Sequence, residues 1–477
     1  MTSLLVRLQL TTWMRDRFLR GLLVTMLLLL TIASVWATAT DAARRHAQVE
    51  AASAARTEWV DRGADHPHRR AHFGDFTFRP AGPLARLDRG VQAQLGKVLR
   101  MEAHRQGTPL HSDASRAGTV ARFPRLDVAF LIQMVVPLLL IFLGATGLSA
   151  ERQGGQLRLS LVQGASARSI AAGHFFALWG LGIGLVTAVV VASVGTSMIL
   201  DGLTTLPWAR LAGFALVHAL FLGVVAAGVV AAAVWSTSAR SALFVLLATW
   251  VVASALLPRA TASVASTLHP LPSQDEFQAE MRTAREAGPD AHNPQDPAVV
   301  QRKQELMQEY GVTSIEALPI DFTGITMQMD EEFGNGVWDV HYGALREKFE
   351  RQADVITRVA LFNPFQAVDH VSMALTGTDL AHDVDFQVQA EAYRRDLVRR
   401  LNHEHAFGGP SDRRGRGWMA PPEFFEGFDP FEYTAPSWDV AMLRRAPELI
   451  ALGVWALFML LAIRVGADRL DRGTASC

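Results

Sequence analysis

An apolar run, Val128-Ala-Phe-Leu-Ile-Gln-Met-Val-Val-Pro-Leu-Leu-Leu-Ile-Phe-Leu-Gly-Ala-Thr-Gly-Leu148, is followed by a short polar segment and by a second apolar run from Ile170 to Leu200. An α-helix rises about 1.5 Å per residue, so each run is long enough to cross a hydrocarbon core about 30 Å thick. We therefore predict two membrane-spanning helices that are joined by residues 149–169.

The joining segment interleaves apolar and polar side chains. Leu157, Leu161 and Val162 alternate with polar residues such as Arg158, and glycines bracket the stretch as helix breakers. This pattern is typical of a short helix that lies in the membrane interface. The alternative is an ordinary cytoplasmic loop that contains a few leucines.

Four more apolar runs bring the predicted number of spans to six: Phe18–Ala39, Leu211–Val234, Ser241–Leu257 and Glu448–Ile463. Small residues at 37–39 leave a cleaved signal peptide as the alternative for the first run. The 477-residue chain is 50% hydrophobic. Its mean hydropathy of +0.17 is high for a soluble protein and low for a fully embedded one, so a large part must lie outside the bilayer.

Two polar segments supply that part, residues 41–127 and 258–447. Apolar periodicity predicts helices at 42–60, 84–104, 274–286, 297–310, 338–361 and 383–402, and a short strand at 75–78. The crowded Gly, Pro and Phe residues of 408–436 predict a loop that packs aromatic rings against the protein itself or against a partner.

The predicted fold is an all-α polytopic membrane protein with six transmembrane helices and two mainly helical extracytoplasmic domains. We divide the chain into a cytoplasmic amino terminus with the first span (1–40), extracytoplasmic domain 1 (41–127), spans two to five with the segment 149–169 (128–257), extracytoplasmic domain 2 (258–447), and the sixth span with a cytoplasmic tail (448–477).

Arginines beside the spans set the expected orientation. They concentrate in the amino-terminal segment, in 149–169, at Arg240 and in the tail, which the positive-inside rule makes cytoplasmic. We therefore expect a multi-pass protein of a bacterial inner membrane with both termini in the cytoplasm. The single cysteine, Cys477, permits no intramolecular disulfide.

Several kinds of chemistry are missing. The middles of the spans carry no Asp, Glu or Lys, which argues against an ion-coupled carrier. None of the lysines, Lys97, Lys303 and Lys348, precedes Ser or Thr, so no phosphate-binding loop can form. The sequence contains neither a His-Glu-x-x-His motif nor a Gly-x-Ser-x-Gly motif, so it does not indicate a hydrolase. A net charge of -1 does not favour nucleic-acid binding. We expect neither an enzyme nor a cofactor bound by this chain.

Two groups of histidines could ligate Zn or Cu. The first contains His66, His68 and His72, and the second contains His382, Asp383, Asp385, His403 and His405. Against the first group stand Arg69 and Arg70, whose charges would repel a cation, and the alternative for both is solvated surface histidine.

The joining segment resembles the ABC-2 type transporter permeases. In that family the second span is followed by a Glu-Arg-x-x-Gly-x-Leu pattern, then by a leucine, a glycine and a Ser-Arg pair, matched here by Glu151, Arg152, Gly155, Leu157, Leu161, Gly164, Ser166 and Arg168. The chain departs from the pattern at Gln156, where Thr is usual, and at Ala167, which separates Ser166 from Arg168.

A second set of motifs is similar to a branch of these permeases that carries a large extracytoplasmic insert of unassigned role between the fifth and sixth spans. The motifs are Leu318-Pro-Ile-Asp-Phe-Thr-Gly324, Glu331-Glu-Phe-Gly-Asn335, His341-Tyr-Gly-Ala-Leu345, Asn363-Pro-Phe365, Ser372-Met-Ala-Leu-Thr-Gly-Thr-Asp379 and Ala392-Tyr-Arg-Arg-Asp-Leu397.

The resemblance implies a transport subunit that pairs with a separate ATP-binding subunit and with a second permease copy or paralogue in the lipid bilayer. ATP and Mg would be held by the partner, and export is the commoner direction in the family. The expected contact to the ATPase contains Glu151, Arg152, Gly155, Leu157, Arg158, Leu161, Gly164 and Arg168. A membrane-anchored extracytoplasmic binding or scaffold protein without transport activity is the alternative, motivated by the size of the segment 258–447 and by its aromatic loop.

Overall fold

The computed structural model describes residues 2–112, 127–202, 206–409 and 417–475. Six of its helices are long and apolar enough to cross a membrane: Arg17–Val60, Val128–Ala145, Ala167–Leu200, Trp208–Trp235, Ala239–Leu268 and Ala446–Arg472, here called spans 1 to 6. The protein is an all-α polytopic membrane protein, and the predicted fold class is confirmed.

Span 1 is longer than the sequence pattern predicted because nothing in the chain stops it. Asp16 caps its start by accepting hydrogen bonds from the backbone N–H groups of Phe18 and Leu19. No Gly or Pro follows between Gly21 and Gly63, and alanine is frequent beyond residue 41. The helix predicted at 42–60 is therefore a direct continuation of the span.

A separate amino-terminal helix, Thr2–Arg15, precedes span 1 and ends next to Asp16. It packs along span 3, where a Cβ added at Gly173 would lie 2.6 Å from Cβ of Leu5. Trp13 is buried in the same interface region of the bundle core. The sequence analysis had predicted an arginine-rich amino-terminal segment here and no separate helix.

Spans 2 and 5 each contain a π-helical turn, Leu131–Val135 and Val252–Leu256. In both spans a proline, Pro137 or Pro258, follows two residues after the turn. Proline has no N–H group, and its ring clashes with the carbonyl of the preceding turn. A wider turn relieves that clash within an otherwise continuous helix.

Span 4 lies at the centre of the bundle and contacts spans 2, 3 and 6. Its side chains Phe214 and Phe221 are fully buried. The helix Pro364–Thr376, which comes from the long polar segment 258–447, also packs against span 4, so that a Cβ added at Gly213 would lie 2.7 Å from Leu375 Cδ2. Part of that segment is therefore continuous with the core of the bundle.

Most of the other described residues of the two polar segments form a cap at the carboxyl-terminal end of span 1. Its helices are Pro67–Phe73, Gln274–Glu286, Pro297–Glu309, Phe322–Ala360, Leu380–Phe407, Pro422–Glu426 and Trp438–Arg444. The strands Asp75–Phe78 and Val98–Met101 pair antiparallel. The strand predicted at 75–78 is present, whereas the helix predicted at 84–104 is wrong, because Gly90 and Gly96 interrupt the segment and its end pairs as a strand.

Residues of both polar segments share one hydrophobic core in the cap. Trp59, at the end of span 1, packs edge-on against Phe425 and Phe428, with ring centroids 5.9 and 5.5 Å apart. Phe386 makes similar contacts with Phe431 and Tyr433. These aromatic residues of the loop are thus packed against the protein itself, which is one of the two arrangements that the sequence left open. Residues 410–416 of that loop lie outside the described part of the chain.

Candidate coupling site

The segment 149–169 folds as a helix–turn–helix between spans 2 and 3. The helix Val136–Gln153, which contains most of span 2, continues beyond the apolar residues. Gly155 then adopts φ 76°, and the short helix Gln156–Val162 begins after it. A positive φ of this size suits glycine because it has no Cβ. Gly164, with φ 90°, ends the turn before span 3. The short helix expected from the sequence is present, and we call it the coupling helix.

The coupling helix has a face toward the bundle and a face away from it. Leu157 is 5% exposed and joins the hydrophobic core of the bundle, and Leu161 packs against it. On the other face Arg158 is exposed, together with Leu159 and Val162, which are 59% and 78% exposed. The structure thus places Leu157 inside the protein, and the exposed apolar side chains are Leu159 and Val162.

Glu151 connects the end of span 2 to the amino-terminal helix and to span 3. Its Oε1 accepts a hydrogen bond from Gln9 Nε2 at 2.9 Å, and its Oε2 lies 3.3 Å from His174 Nε2. Burial by itself would raise the pKa of Glu151, but the hydrogen bonds from His174 and Gln9 lower that pKa below its ordinary value. The carboxylate is therefore ionised and held between three elements.

Arg152 connects the same helix to the end of span 4. Its guanidinium donates hydrogen bonds to the backbone carbonyls of Val234, at 2.9 Å, and Ser236. These carbonyls belong to the last turn of a helix, where carbonyl groups have no partner within the helix and the helix dipole favours a cation. Arg152 therefore fixes the end of span 4 relative to span 2.

Arg168 connects the start of span 3 to the end of span 6. Its guanidinium makes a two-pronged ion pair with Asp468, in which the Nη2–Oδ2 distance is 2.8 Å. The backbone N–H of Ala167 also donates to Asp471 at 2.9 Å. Arg168 itself is 55% exposed, so the pair can exchange with a charged partner.

Glu151, Arg152 and Arg168 thus gather at one end of the bundle beside the coupling helix. Their partners Gln9, His174 and Asp468 were not predicted as site residues. No local pattern marks these three, since each lies in a different helix and the fold alone brings them together. A Cβ added at Gly155 or Gly164 would have no heavy atom within 4 Å. These glycines are therefore needed for the backbone conformation of the turn and not for close packing.

The structure keeps two histidines of the first candidate metal-binding group together and separates the third. His68 and His72 lie one turn apart on the helix Pro67–Phe73, with their Nε2 atoms 3.0 Å apart. His66 instead faces His405 across 4.5 Å between ring centroids. Burial, followed by the neighbouring His72, lowers the pKa of His68 to about 3.

The second predicted group of metal ligands is not brought together. His382 pairs with Asp379 at 2.6 Å, and Asp383 pairs with Arg79. Asp385 accepts a hydrogen bond from Gln389 at 2.9 Å. His403 packs on Phe407, and His405 lies 3.3 Å from Asp321. These side chains hold the cap together in separate places.

Comparison with known proteins adds one finding. No curated protein and no solved structure matches the chain. Residues 276–431, within the long polar segment between spans 5 and 6, are similar to a family described as a domain of unknown function, DUF3526.

Proposed function

We propose that this protein is the membrane-spanning permease subunit of an ATP-binding cassette transporter and that a separate ATPase subunit docks on the coupling helix Gln156–Val162. The observation that carries the proposal is an exposed, partly apolar helix at one end of a six-span bundle. The chain offers no nucleotide loop of its own, so the energy for transport must come from a partner.

The contacts of the site suggest how a push on the coupling helix would reach the spans. Leu157 packs in the hydrophobic core of the bundle and so holds the coupling helix against the spans. Arg152 connects its base to span 4, and Arg168 connects its far end to span 6. Under this proposal, a displacement of the coupling helix would act on spans 2, 3, 4 and 6 together.

The proposed assembly contains two permease halves, each a copy of this chain or a paralogue, and ATP-binding subunits that hold ATP and Mg. We place it in a bacterial inner membrane with both termini and the coupling helix in the cytoplasm and the cap outside. Export is the direction proposed for it, by analogy with the permease family that the segment 149–169 resembles.

A single substitution on the exposed face tests the docking. Val162→Asp places a charge at a side chain that is 78% exposed and makes no core contact, so the fold is expected to tolerate it. We expect co-purification of an ATP-binding subunit co-expressed with the chain to fall at least about 10-fold, since one desolvated charge costs more than about 1.4 kcal/mol at an interface.

Val340→Asp is the matched control, because Val340 is 69% exposed on the cap helix Phe322–Ala360. It should leave co-purification unchanged. If no ATP-binding subunit co-elutes with the unmodified chain even after cross-linking, or if both variants behave alike, the proposed docking site is wrong.

A further inference from the structure

Four histidines from distant parts of the chain meet in the cap. His68 and His72 come from the helix Pro67–Phe73, His104 follows the strand Val98–Met101, and His292 lies between the helices Gln274–Glu286 and Pro297–Glu309. One ring nitrogen of each lies within 4.8 Å of the corresponding nitrogens of the other three. Sequence analysis had identified His68 and His72 but neither His104 nor His292.

We propose that His68, His72, His104 and His292 form a binding site for a divalent transition-metal ion, Zn²⁺ or Cu²⁺. Imidazole nitrogen is a preferred ligand of both ions. The site is independent of the proposed transport function and would stand if that function were wrong.

The spacing of the nitrogens supports a four-coordinate ion. In a tetrahedral site with Zn–N bonds of 2.0–2.1 Å, ligand nitrogens lie about 3.3 Å from one another. The Nε2 atoms of His68 and His72 are already 3.0 Å apart, and they lie at positions i and i+4 of one helix. The remaining pairs, at up to 4.8 Å, require only side-chain rotation to close on an ion.

His104 is oriented as a metal ligand usually is. Its Nδ1 lies 2.9 Å from Asp330 Oδ2, while Glu331 accepts a hydrogen bond from its backbone N–H. A carboxylate on one ring nitrogen leaves the other free and more basic, which is the common second shell of metal-binding histidine. The Nε2 atom of His104 is buried and has no hydrogen-bond partner among the described residues.

The backbone conformation of His104 indicates that its neighbours hold it in place. His104 has φ 63°, a left-handed conformation that is unfavourable for a non-glycine residue. Its two carboxylate contacts hold it there, and Arg285 in turn holds Asp330 at 2.6 Å. His292 is positioned by the turn around Asp290, which accepts a hydrogen bond from the backbone N–H of His292 at 3.0 Å.

The two arginines that argued against a cation point elsewhere. Arg69 pairs with Asp65 at 2.8 Å. Arg70 is completely buried, pairs with the same carboxylate at 3.3 Å and donates to the carbonyl of Gly63 at 2.9 Å. Both guanidinium groups thus share Asp65, whereas His104 in the cluster contacts the carboxylates of Asp330 and Glu331.

The position of the site predicts what the ion would do. Three ligands belong to the polar segment before span 2 and one, His292, to the segment before span 6. His72 and His292 are exposed, so an ion can reach the site from solvent. A bound ion would therefore fasten the loop that carries His292 onto the first segment and stabilise the cap against unfolding.

The test uses the full chain in detergent, purified without a polyhistidine tag and stripped with a chelator. Titration with ZnCl₂ and with CuSO₄ against a chromophoric chelator should show about one high-affinity ion per chain, and the ion should raise the midpoint of thermal unfolding. His292→Ala removes an exposed ligand without disturbing the cap core, and it should weaken binding at least about 10-fold and abolish the thermal shift. His104→Ala should do the same.

His403→Ala is the matched control, because His403 is an exposed histidine that packs on Phe407 outside the cluster. It should bind the ion like the unmodified chain. The proposal fails if the stripped chain binds neither ion, or if His292→Ala and His104→Ala both bind as tightly as the control variant.

Discussion

Asp379 lies where the cap meets the start of span 6. It begins the helix Leu380–Phe407 as its N-cap, and its carboxylate pairs with His382 at 2.6 Å and with Arg445 at 3.1 Å. Burial by itself would raise the pKa of Asp379, but the hydrogen bond and charge of His382, together with Arg445, lower it well below the ordinary 3.8. The ionised carboxylate therefore stabilises the fold.

Replacing this carboxylate should reveal its contribution as a function of pH. A lowered pKa gives stability that is present above the ordinary value of 3.8 and lost as pH falls through the folded-state value. Asp379→Asn should therefore lower the free energy of unfolding by about 1.5–3 kcal/mol at neutral pH. The difference from the unmodified protein should become smaller below about pH 3.8. Thermal unfolding in detergent across this pH range measures it.

Asp396→Asn provides the control, since Asp396 is 55% exposed and lies 3.7 Å from Arg399. An exposed pair of this kind contributes about 0–1 kcal/mol. Equal destabilisation by the two substitutions, or a deficit for Asp379→Asn that is the same at pH 7 and pH 3, would contradict the role assigned to Asp379.

At the scale of single residues, the sequence indicated site residues that are neighbours along the chain. It did not indicate residues that are distant along the chain and meet only in the folded protein. His68 and His72 were grouped because they are close in sequence, and their Nε2 atoms do lie 3.0 Å apart. His292 lies more than two hundred residues further along, in a loop with no pattern of its own, so nothing local could join it to them. The same holds for Gln9 and His174 around Glu151.

Helices could be predicted from sequence where their ends are encoded locally. The helix Gln274–Glu286 has the predicted bounds because Ser273 and Glu276 form a capping box. The segment 84–104 was predicted as a helix from apolar periodicity and is instead a strand and turns, because Val98–Met101 pairs with residues 75–78. Strand pairing is a tertiary contact that periodicity along one segment does not report.

The close approach of spans 2 and 4 depends on one glycine. A Cβ added at Gly144 would lie 2.3 Å from Val229 Cγ1 and 2.8 Å from Leu178 Cδ1, and both neighbours are buried. Gly144→Ala should therefore force the spans apart and lower stability by about 1–3 kcal/mol. The midpoint of thermal unfolding, followed by tryptophan fluorescence, measures the change.

Gly180→Ala in span 3 is the matched control, because an added Cβ there has no heavy atom within 4 Å. It should leave the midpoint unchanged. A Gly144→Ala protein as stable as Gly180→Ala would show that spans 2 and 4 are less tightly packed than described.

At the scale of the whole molecule, six of the described helices are long and apolar enough to cross a membrane. Hydropathy predicted the number and order of these helices because a lipid environment requires long apolar helices. It did not predict that the helix Pro364–Thr376 packs among the spans, since that helix is short and carries polar residues such as Gln366 and Asp369. Which side faces the cytoplasm stays a prediction from the arginine distribution.

The single cysteine allows the orientation to be tested without altering the native chain. Cys477 should resist a membrane-impermeant maleimide in intact spheroplasts and react after permeabilisation, as a cytoplasmic tail requires. In a Cys477→Ser background, Gln304→Cys on the exposed surface of the cap helix Pro297–Glu309 should react in intact spheroplasts. The opposite pattern at both positions would invert the orientation proposed here.

Span 1 also sets a mechanical relation between the two sides of the membrane. Its 44 residues form one unbroken helix about 66 Å long, roughly twice the thickness of a hydrocarbon core. The half that leaves the bilayer is a stiff lever arm about 35 Å long, so a tilt of about 10° would displace its tip by about 6 Å. That tip is Trp59, in the aromatic core of the cap. A tilt of span 1 would therefore displace the aromatic core of the cap, because the helix that joins the two is unbroken.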